Sequence, residues 1–186
     1  MVHYPVFLNL TGSIVILIGD GAEARVPHLI AAGATIRRVS PTKFTPESLD
    51  GSSLVICATN DEPLNARVSQ AARDRRIFCN VLDRPPLCSW IAPAVVRRGQ
   101  LQVAISTGGK SPALAVRIKE TIDQMLGPEY TELLDMLASF RERIQQVAPT
   151  FEERSKIFQS MARGPALDLL REGKREEAEK LLASHL

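Results

Sequence analysis

Two glycines near the amino terminus stand where a dinucleotide-binding protein would carry them. The stretch Gly19-Asp20-Gly21-Ala22-Glu23-Ala24 follows the short apolar run IVILI and fits the pattern GxGxxA. In that pattern one glycine makes a tight turn, another lets the backbone approach a pyrophosphate, and the helix that follows presents free N–H groups. Gly19, Gly21 and Ala22 are therefore candidate cofactor-binding residues. A tight turn between strand and helix would use the same glycines without a ligand.

The residues about 20 positions further on bear on which dinucleotide would bind. An acid that holds the ribose hydroxyls is expected there, whereas this chain has Arg37, Arg38 and Ser40. Arginines in this place would favour the 2′-phosphate of NADP, and they would suit a solvated surface equally well. The pattern leaves NAD and NADP open and adds Ser40 to the candidate cofactor-binding residues.

One carboxylate stands directly after a predicted strand. Asp83 follows the apolar run IFCNVL, which places it at the end of a predicted strand and at the mouth of the sheet. A carboxylate there is well placed to act as a general base. An aspartate just before Arg84-Pro85-Pro86 is also typical of a plain turn, so both interpretations stay open.

The polar loop that precedes Pro112 is a candidate anion site. Backbone N–H groups at Gly108, Gly109 and Ser111, together with Lys110, could bind carboxylates, because a turn followed by the start of a helix favours anions. Ser111 would also suit a role as the cap of the helix that begins at Pro112. The two roles are compatible.

The elements that must position these residues alternate in type along the first half of the chain. Predicted strands and helices follow one another, as in a parallel sheet with helices on its faces. The strands are Ile14–Ile18, Thr35–Val39, Leu54–Ala58 and Ile77–Leu82, and the helices are Ala22–Ala32 and Glu62–Arg75. Pro27 falls inside the first helix, so that helix either loses a hydrogen bond or begins later, with Pro27 in its first turn.

The second half of the chain has a different pattern. The apolar runs Trp90–Val96 and Leu101–Ile105 predict an antiparallel hairpin joined by Arg97–Gln100, and a helix should run from Pro112 to about Leu126. Beyond Gly127-Pro128 the chain is helical. This part contains a helix over Glu129–Val147, a capping box over Thr150–Glu153, and two short helices separated by Gly173.

Composition excludes several classes of protein. The 186 residues are 45% apolar and carry a net charge of only +2, so no nucleic-acid or membrane partner is expected. Three cysteines without a CxxC pair and three scattered histidines predict no metal site. Cys57 and Cys79 lie in apolar runs and should be buried. The amino terminus lacks the features of a signal peptide, and the expected location is the cytoplasm.

A series of motifs in a fixed order resembles one known family. These motifs are PVFLNL at 5–10, ATND at 58–61, FCNVLD at 78–83, SWIAPA at 89–94 and AISTGGKSPALA at 104–115. They are similar to the N-terminal half of siroheme synthase, the precorrin-2 dehydrogenase and sirohydrochlorin ferrochelatase family. The resemblance covers nearly the whole chain and is strongest between residues 58 and 115.

This resemblance implies a fold and an activity. The fold is α/β, with a Rossmann-like NAD domain over residues 1–88, a hairpin and helix over 89–126 that join two subunits and line the tetrapyrrole site, and a helical part over 127–186. The activity is NAD(P)-dependent oxidation of precorrin-2 to sirohydrochlorin by a homodimer. Some members also insert ferrous iron, so iron is a further co-substrate that the resemblance allows.

The resemblance also assigns roles to individual residues. Asp83 matches the family's catalytic aspartate, and Ser111 matches a serine that lines the tetrapyrrole site. Thr59 and Asn60 match residues that border the dinucleotide, and Asn80 belongs to the tetrapyrrole side together with the loop Gly108–Ser111.

Two departures from the family both fall on the dinucleotide side. The glycine stretch is shorter than is usual, and the segment between Val39 and Ser53 is too short for the strand that the family places there. One alternative is therefore a chelatase or tetrapyrrole-binding protein that has lost dinucleotide-dependent chemistry. Another is a regulatory dimer that binds a nucleotide and catalyses nothing.

Overall fold

A computed structural model describes residues 3–186 of the chain. It contains two compact units. The first runs to Ala92 and includes Gly108–Lys110, and the second comprises Pro93–Thr107 and Ser111–Leu186. The three-part division at residues 88 and 126 concerns functional roles and stays a prediction.

The first unit is built on a four-stranded parallel sheet with strand order β2-β1-β3-β4. The strands are β1 (Ile14–Ile18), β2 (Thr35–Val39), β3 (Leu54–Cys57) and β4 (Phe78–Val81). The chain leaves β1 towards β2 on one side and later places β3 on the other side of β1. The loops after β1 and β3 therefore flank a topological switch point, where α/β sheets of this kind bind ligands.

Both faces of this sheet are buried, because successive residues of the central strands point in opposite directions. Ile16 and Val55 pack with residues of α2 (Glu62–Asp74) on one face. Val15 and Ile56 pack on the other face, where Leu29 of α1 (Val26–Ala31) contacts them. The nearly continuous apolar character of β1 and β3 follows from this double burial.

The segment between β2 and β3 contains no strand. It forms two short 3-10 turns, Pro41–Lys43 and Pro46–Leu49, and it buries Phe44 and Leu49 in the core. The expected loss of a strand from this region is confirmed, and the two apolar side chains fill space beside the sheet instead.

The outer edge of β4 is paired with the chain that follows it. Cys79 N–H donates to Ser89 Oγ at 2.8 Å, and Ser89 N–H donates to the Cys79 carbonyl, also at 2.8 Å. Val81 N–H donates to Cys88 Sγ at 3.3 Å, and the Cys88 thiol donates to the Val81 carbonyl at 3.2 Å. The polar backbone groups of this edge strand are therefore satisfied without a fifth strand.

The second unit combines a hairpin with six helices. Strands β5 (Ala94–Arg98) and β6 (Leu101–Ile105) are antiparallel, and Arg98 forms an ion pair with Asp123 of α3 at 3.0 Å. The helices are α3 (Pro112–Met125), α4 (Glu129–Ser139), α5 (Arg141–Val147), α6 (Phe151–Arg163), α7 (Ala166–Arg171) and α8 (Arg175–Ala183). Helices α4 to α8 share an apolar core that includes Ile144 and Met161.

Several predicted boundaries are wrong. The first helix does not span Ala22–Ala32, because a 3-10 turn over Glu23–Arg25 precedes α1. The alternative of a later start is confirmed: Pro27 lies in the first turn of α1, where its missing N–H costs nothing. The hairpin begins at Ala94 rather than Trp90, so Arg97 and Arg98 lie in a strand.

The predicted helix over Glu129–Val147 is two helices. The break falls at Phe140, whose side chain is buried in the core of the second unit. The capping box of α6 is confirmed: Thr150 Oγ1 accepts from Glu153 N–H, and the Glu153 carboxylate accepts from Thr150 N–H. Within residues 3–186, no helix has the length and hydropathy needed to cross a membrane.

Candidate functional site

The glycine loop after β1 is held against the end of β3. Gly19 has a φ of +80°, and a Cβ at this position would lie only 2.3 Å from the Ala58 carbonyl oxygen. A Cβ at Gly21 would lie 3.1 Å from the Ala58 Cβ and 3.7 Å from Leu82 Cδ2. Gly19 is thus explained by close packing of the loops that follow β1 and β3, whether or not a ligand binds, and Gly21 lies in tight contact with the loops after β3 and β4.

The loop after β3 is fixed by a buried asparagine of α2. Asn65 is 1% exposed. Its Oδ1 accepts from Thr59 Oγ1 at 2.7 Å and from the Cys57 thiol at 3.1 Å, and its Nδ2 donates to the Thr59 carbonyl at 3.1 Å. Thr59 is therefore held in place, while its neighbour Asn60 is exposed at the carboxyl edge of the sheet. The sequence analysis gave Asn65 no role, although a polar residue on the apolar face of α2 is a signal for one.

Replacing Asn65 with alanine should destabilise the protein by about 2 kcal/mol, because the Thr59 carbonyl and hydroxyl would lose their partners in a buried place. The loop that carries Asn60 should loosen as well, so NAD affinity should fall. Urea denaturation and NAD titration would measure the two effects. Ser69→Ala is the matched control on the same helix: it removes one hydrogen bond, from Ser69 Oγ to the Leu87 carbonyl, and should cost about 1 kcal/mol without changing NAD affinity.

Asp83 lies just after β4 in a strained backbone conformation. Its φ is +57°, in the left-handed region that residues other than glycine seldom adopt, and its side chain is exposed. Strain of this kind is concentrated at functional sites. The carboxylate is free to meet a ligand at the carboxyl edge of β4, beside the loops that follow β1 and β3.

Asn80 and Arg25 form a polar pair next to Asp83. Asn80 is 6% exposed, and its Nδ2 donates to the Trp90 carbonyl at 3.0 Å. This bond turns Asn80 Oδ1 towards Arg25, whose Nη1 donates to it at 2.8 Å. Burial lowers the pKa of Arg25, while the charges of Cys88 and Asp83 raise it. The sequence analysis missed Arg25, although an arginine in a turn of small residues directly after the glycine pair was a usable signal.

The two arginines of β2 are already engaged. Arg38 forms an ion pair with Glu23 at 2.9 Å, and Arg37 donates to the carbonyls of Ser48 and Asp50, each at 2.9 Å. Ser40 directly follows β2 and is exposed. It lies at the same edge of the sheet as the glycine loop. The prediction that places Ser40 beside the cofactor is compatible with this position.

The loop before α3 contains the remaining predicted residues. Ser111 caps α3: its Oγ accepts from Leu114 N–H at 3.2 Å, and Thr107 Oγ1 binds both the N–H and the carbonyl of Ser111. Gly108, Gly109 and Lys110 group with the first unit, whereas Ser111 belongs to the second. The two glycines have φ values of +63° and +78°, which explains the residue type at both positions.

The surroundings of the three thiols favour their protonated form. Burial raises the pKa of Cys57 to about 11 and that of Cys79 to about 12, and it also raises the pKa of Cys88. The expected burial of Cys57 and Cys79 is confirmed. Protonated thiols are poor nucleophiles and poor metal ligands.

These residues fit a dinucleotide laid across the carboxyl edge of the first unit. Gly21, Asn60 and Ser40 are exposed at the ends of three neighbouring strands. The expected helix start directly after the glycines is displaced to Val26, so backbone donors to a pyrophosphate would come from the 3-10 turn.

Comparison with protein families covers almost all of this chain. A family of NAD(P)-binding domains matches residues 6–94, the central region of sirohaem biosynthesis proteins matches 98–125, and the sirohaem synthase dimerisation region matches 129–186. The chain belongs to the family of siroheme synthase N-terminal domains.

Similar members of the siroheme synthase family come from Pseudomonas and its relatives. The siroheme synthase of Pseudomonas fluorescens strain SBW25 is 36% identical over 98% of this chain, and that of Ectopseudomonas mendocina is 37% identical over 100% of it. The chain spans 44% of the length of each of these relatives. The first alignment runs over 203 residues, more than the 186 of this chain, so the relative has residues that this chain lacks.

A solved structure matches this chain over nearly its whole length. The precorrin-2 dehydrogenase SirC superposes with a TM-score of 0.75 at 25% identity, and the match covers 98% of this chain and 100% of SirC. The predicted α/β fold with a parallel sheet, a hairpin and a helical carboxyl-terminal part is confirmed.

Proposed function

We propose that this protein oxidises precorrin-2 to sirohydrochlorin with NAD. The observation that carries the proposal is Asp83, an exposed carboxylate in a strained conformation at the carboxyl edge of a parallel sheet whose neighbouring loops suit a dinucleotide. Support comes from the match to an NAD(P)-binding family and from the likeness to SirC over the whole of both chains.

The chemistry requires little from the protein besides binding, orientation and one base. Bound NAD would supply the acceptor for a hydride, which carries two electrons and one proton from the macrocycle, and a second proton would leave without electrons. Asp83 takes up that second proton and releases it to solvent. The products are sirohydrochlorin, NADH and one proton.

The tetrapyrrole would be bound through the carboxylates on its rim. Asn80 lies near the end of β4, the strand that leads to Asp83, and the loop Gly108–Ser111 offers the Lys110 ammonium and the backbone at Gly109. Gly19, Gly21, Ala22, Ser40, Thr59 and Asn60 would border the dinucleotide. In this assignment Ser111 both caps α3 and contacts substrate.

We expect NAD to be preferred over NADP, because Arg38 is paired with Glu23 and the Glu23 carboxylate would repel a 2′-phosphate. Glu23→Gln should leave Arg38 unpaired and raise kcat/KM for NADP relative to NAD by several-fold. Steady-state rates with each cofactor would measure this ratio. Glu152→Gln removes an exposed carboxylate paired with Lys156 in α6 and should leave the ratio unchanged.

We also propose a homodimer formed through the second unit. The match to the sirohaem synthase dimerisation region supports it. So does α3, which leaves Leu114, Val116 and Met125 about half exposed or more, an arrangement that suits burial against another chain. Light scattering of the purified protein would give the mass of the assembly.

The test of the proposed function is anaerobic incubation with precorrin-2 and NAD or NADP, followed by absorbance. Equal amounts of sirohydrochlorin and reduced cofactor would establish the dehydrogenase. Tetrapyrrole binding without turnover would instead favour a chelatase or carrier. Ferrous iron added to sirohydrochlorin would then show whether iron is a co-substrate, with Asp83 guiding the ion to the four pyrrole nitrogens.

A further inference from the structure

Arg25 is a cation held inside the candidate site by a single side-chain hydrogen bond. Its Nη1 donates to Asn80 Oδ1 at 2.8 Å, and its side chain is half-buried. Within residues 3–186 no carboxylate lies within ion-pair distance of it. A guanidinium has five N–H donors in a planar fork, so most of its donors remain for another acceptor.

Two strands determine where the Arg25 guanidinium lies. The residue follows the glycine loop of β1, yet its guanidinium reaches Asn80 on β4, beyond β3 in the strand order. Asn80 cannot turn its oxygen away without losing the bond from its Nδ2 to the Trp90 carbonyl. The charge is therefore fixed at the end of the site where Asn80 and Asp83 lie.

We propose that Arg25 binds a carboxylate of the tetrapyrrole and so sets which edge of the macrocycle faces Asp83. This inference rests on the proposed function, since the substrate is the one named there. A half-buried guanidinium without a contact acid gains a charge-assisted, bidentate partner when a carboxylate arrives. Asn80 acts as the positioning residue that aims the guanidinium.

The experiment measures binding of sirohydrochlorin by absorbance titration, and turnover of precorrin-2, for the wild type and Arg25→Gln. We expect the Kd for sirohydrochlorin and the KM for precorrin-2 to rise about 10- to 100-fold. We expect kcat to stay within about threefold and NAD affinity to be unchanged. Arg25→Lys keeps the charge without the fork, so it should recover part of the loss.

Arg67→Gln is the matched control. Arg67 lies on α2 with its guanidinium 5.9 Å from the centre of the Phe44 ring, and its loss should change neither constant. Unfolding curves of each variant would show that the fold is retained, and the Lys variant remains informative if the Gln variant does not fold.

Three results would overturn the inference. One is an unchanged Kd and KM in Arg25→Gln. Another is a fall in kcat with unchanged Kd, which would mean that Arg25 acts only through Asn80 or Asp83. The third is a loss of NAD affinity alone, which would place the guanidinium on the pyrophosphate. If the wild type binds sirohydrochlorin in an Arg25-dependent way but does not oxidise precorrin-2, the inference stands and the proposed dehydrogenation fails.

Discussion

Asp83→Asn should lower kcat for precorrin-2 oxidation by at least about 100-fold, the contribution expected of a general base. Asparagine keeps the size of the side chain and tolerates the left-handed backbone conformation at φ +57°. The variant should therefore fold normally and should still bind sirohydrochlorin. Single-turnover absorbance measurements with NAD in excess would give the rate of the chemical step.

Asparagine is a sharper choice than alanine at this position. Alanine would remove the carboxylate and also add backbone strain, since aspartate and asparagine visit the left-handed region more readily than alanine does. Asp61→Asn is a suitable control, because Asp61 is an exposed aspartate that caps α2 by accepting from Leu64 N–H. An Asp83→Asn enzyme with wild-type turnover would show that the base is another group.

Gly19→Ala should destabilise the first unit by about 2–5 kcal/mol. The left-handed conformation at φ +80° costs about 1–2 kcal/mol for a residue with a Cβ, and crowding in a packed place costs about 1–3 kcal/mol more. The crowding is severe because the Cβ would meet the Ala58 carbonyl oxygen at 2.3 Å. The single tryptophan, Trp90, lies in the first unit, so its fluorescence in a urea titration would follow this loss.

Gly12→Ala separates the two costs. Gly12 has a similar φ of +75°, but a Cβ there would meet nothing within 4 Å. Only the backbone cost of about 1–2 kcal/mol should appear. Equal destabilisation by the two substitutions would mean that the loop after β1 can move away from β3. The close packing of Gly19 on Ala58 would then contribute nothing to stability.

The sequence analysis located the strands better than the turns between them. Residues of β1 and β3 are apolar on both faces, so their runs marked buried parallel strands without ambiguity. The start of α1 could not be read from the pattern, because Ala22 and Ala24 suit a helix and a 3-10 turn equally. The break at Phe140 could not be predicted either, because a buried phenylalanine continues the helical spacing of apolar residues even where the helix ends.

Sequence reasoning could propose only those candidate-site residues that are polar and adjoin a recognisable strand or helix. Asp83 and Ser111 stand out because each follows or precedes a recognisable element. The hydrogen bond between Arg25 and Asn80 joins residues 55 positions apart. The spacing of residues along a sequence does not indicate such a contact. The packing of Gly19 on Ala58 is likewise a tertiary contact. It explains why glycine stands at position 19, which the cofactor-binding pattern alone did not.

The covered edge of β4 has a consequence for the behaviour of the protein in solution. An exposed sheet edge invites strands from other copies and so promotes aggregation. Ser89 and Cys88 already occupy the outward N–H and C=O groups of Cys79 and Val81. At the opposite border, β2 carries Arg37 and Arg38 next to each other, and charge on an edge strand opposes the same association. Both borders of the sheet are thereby protected against amyloid-like stacking.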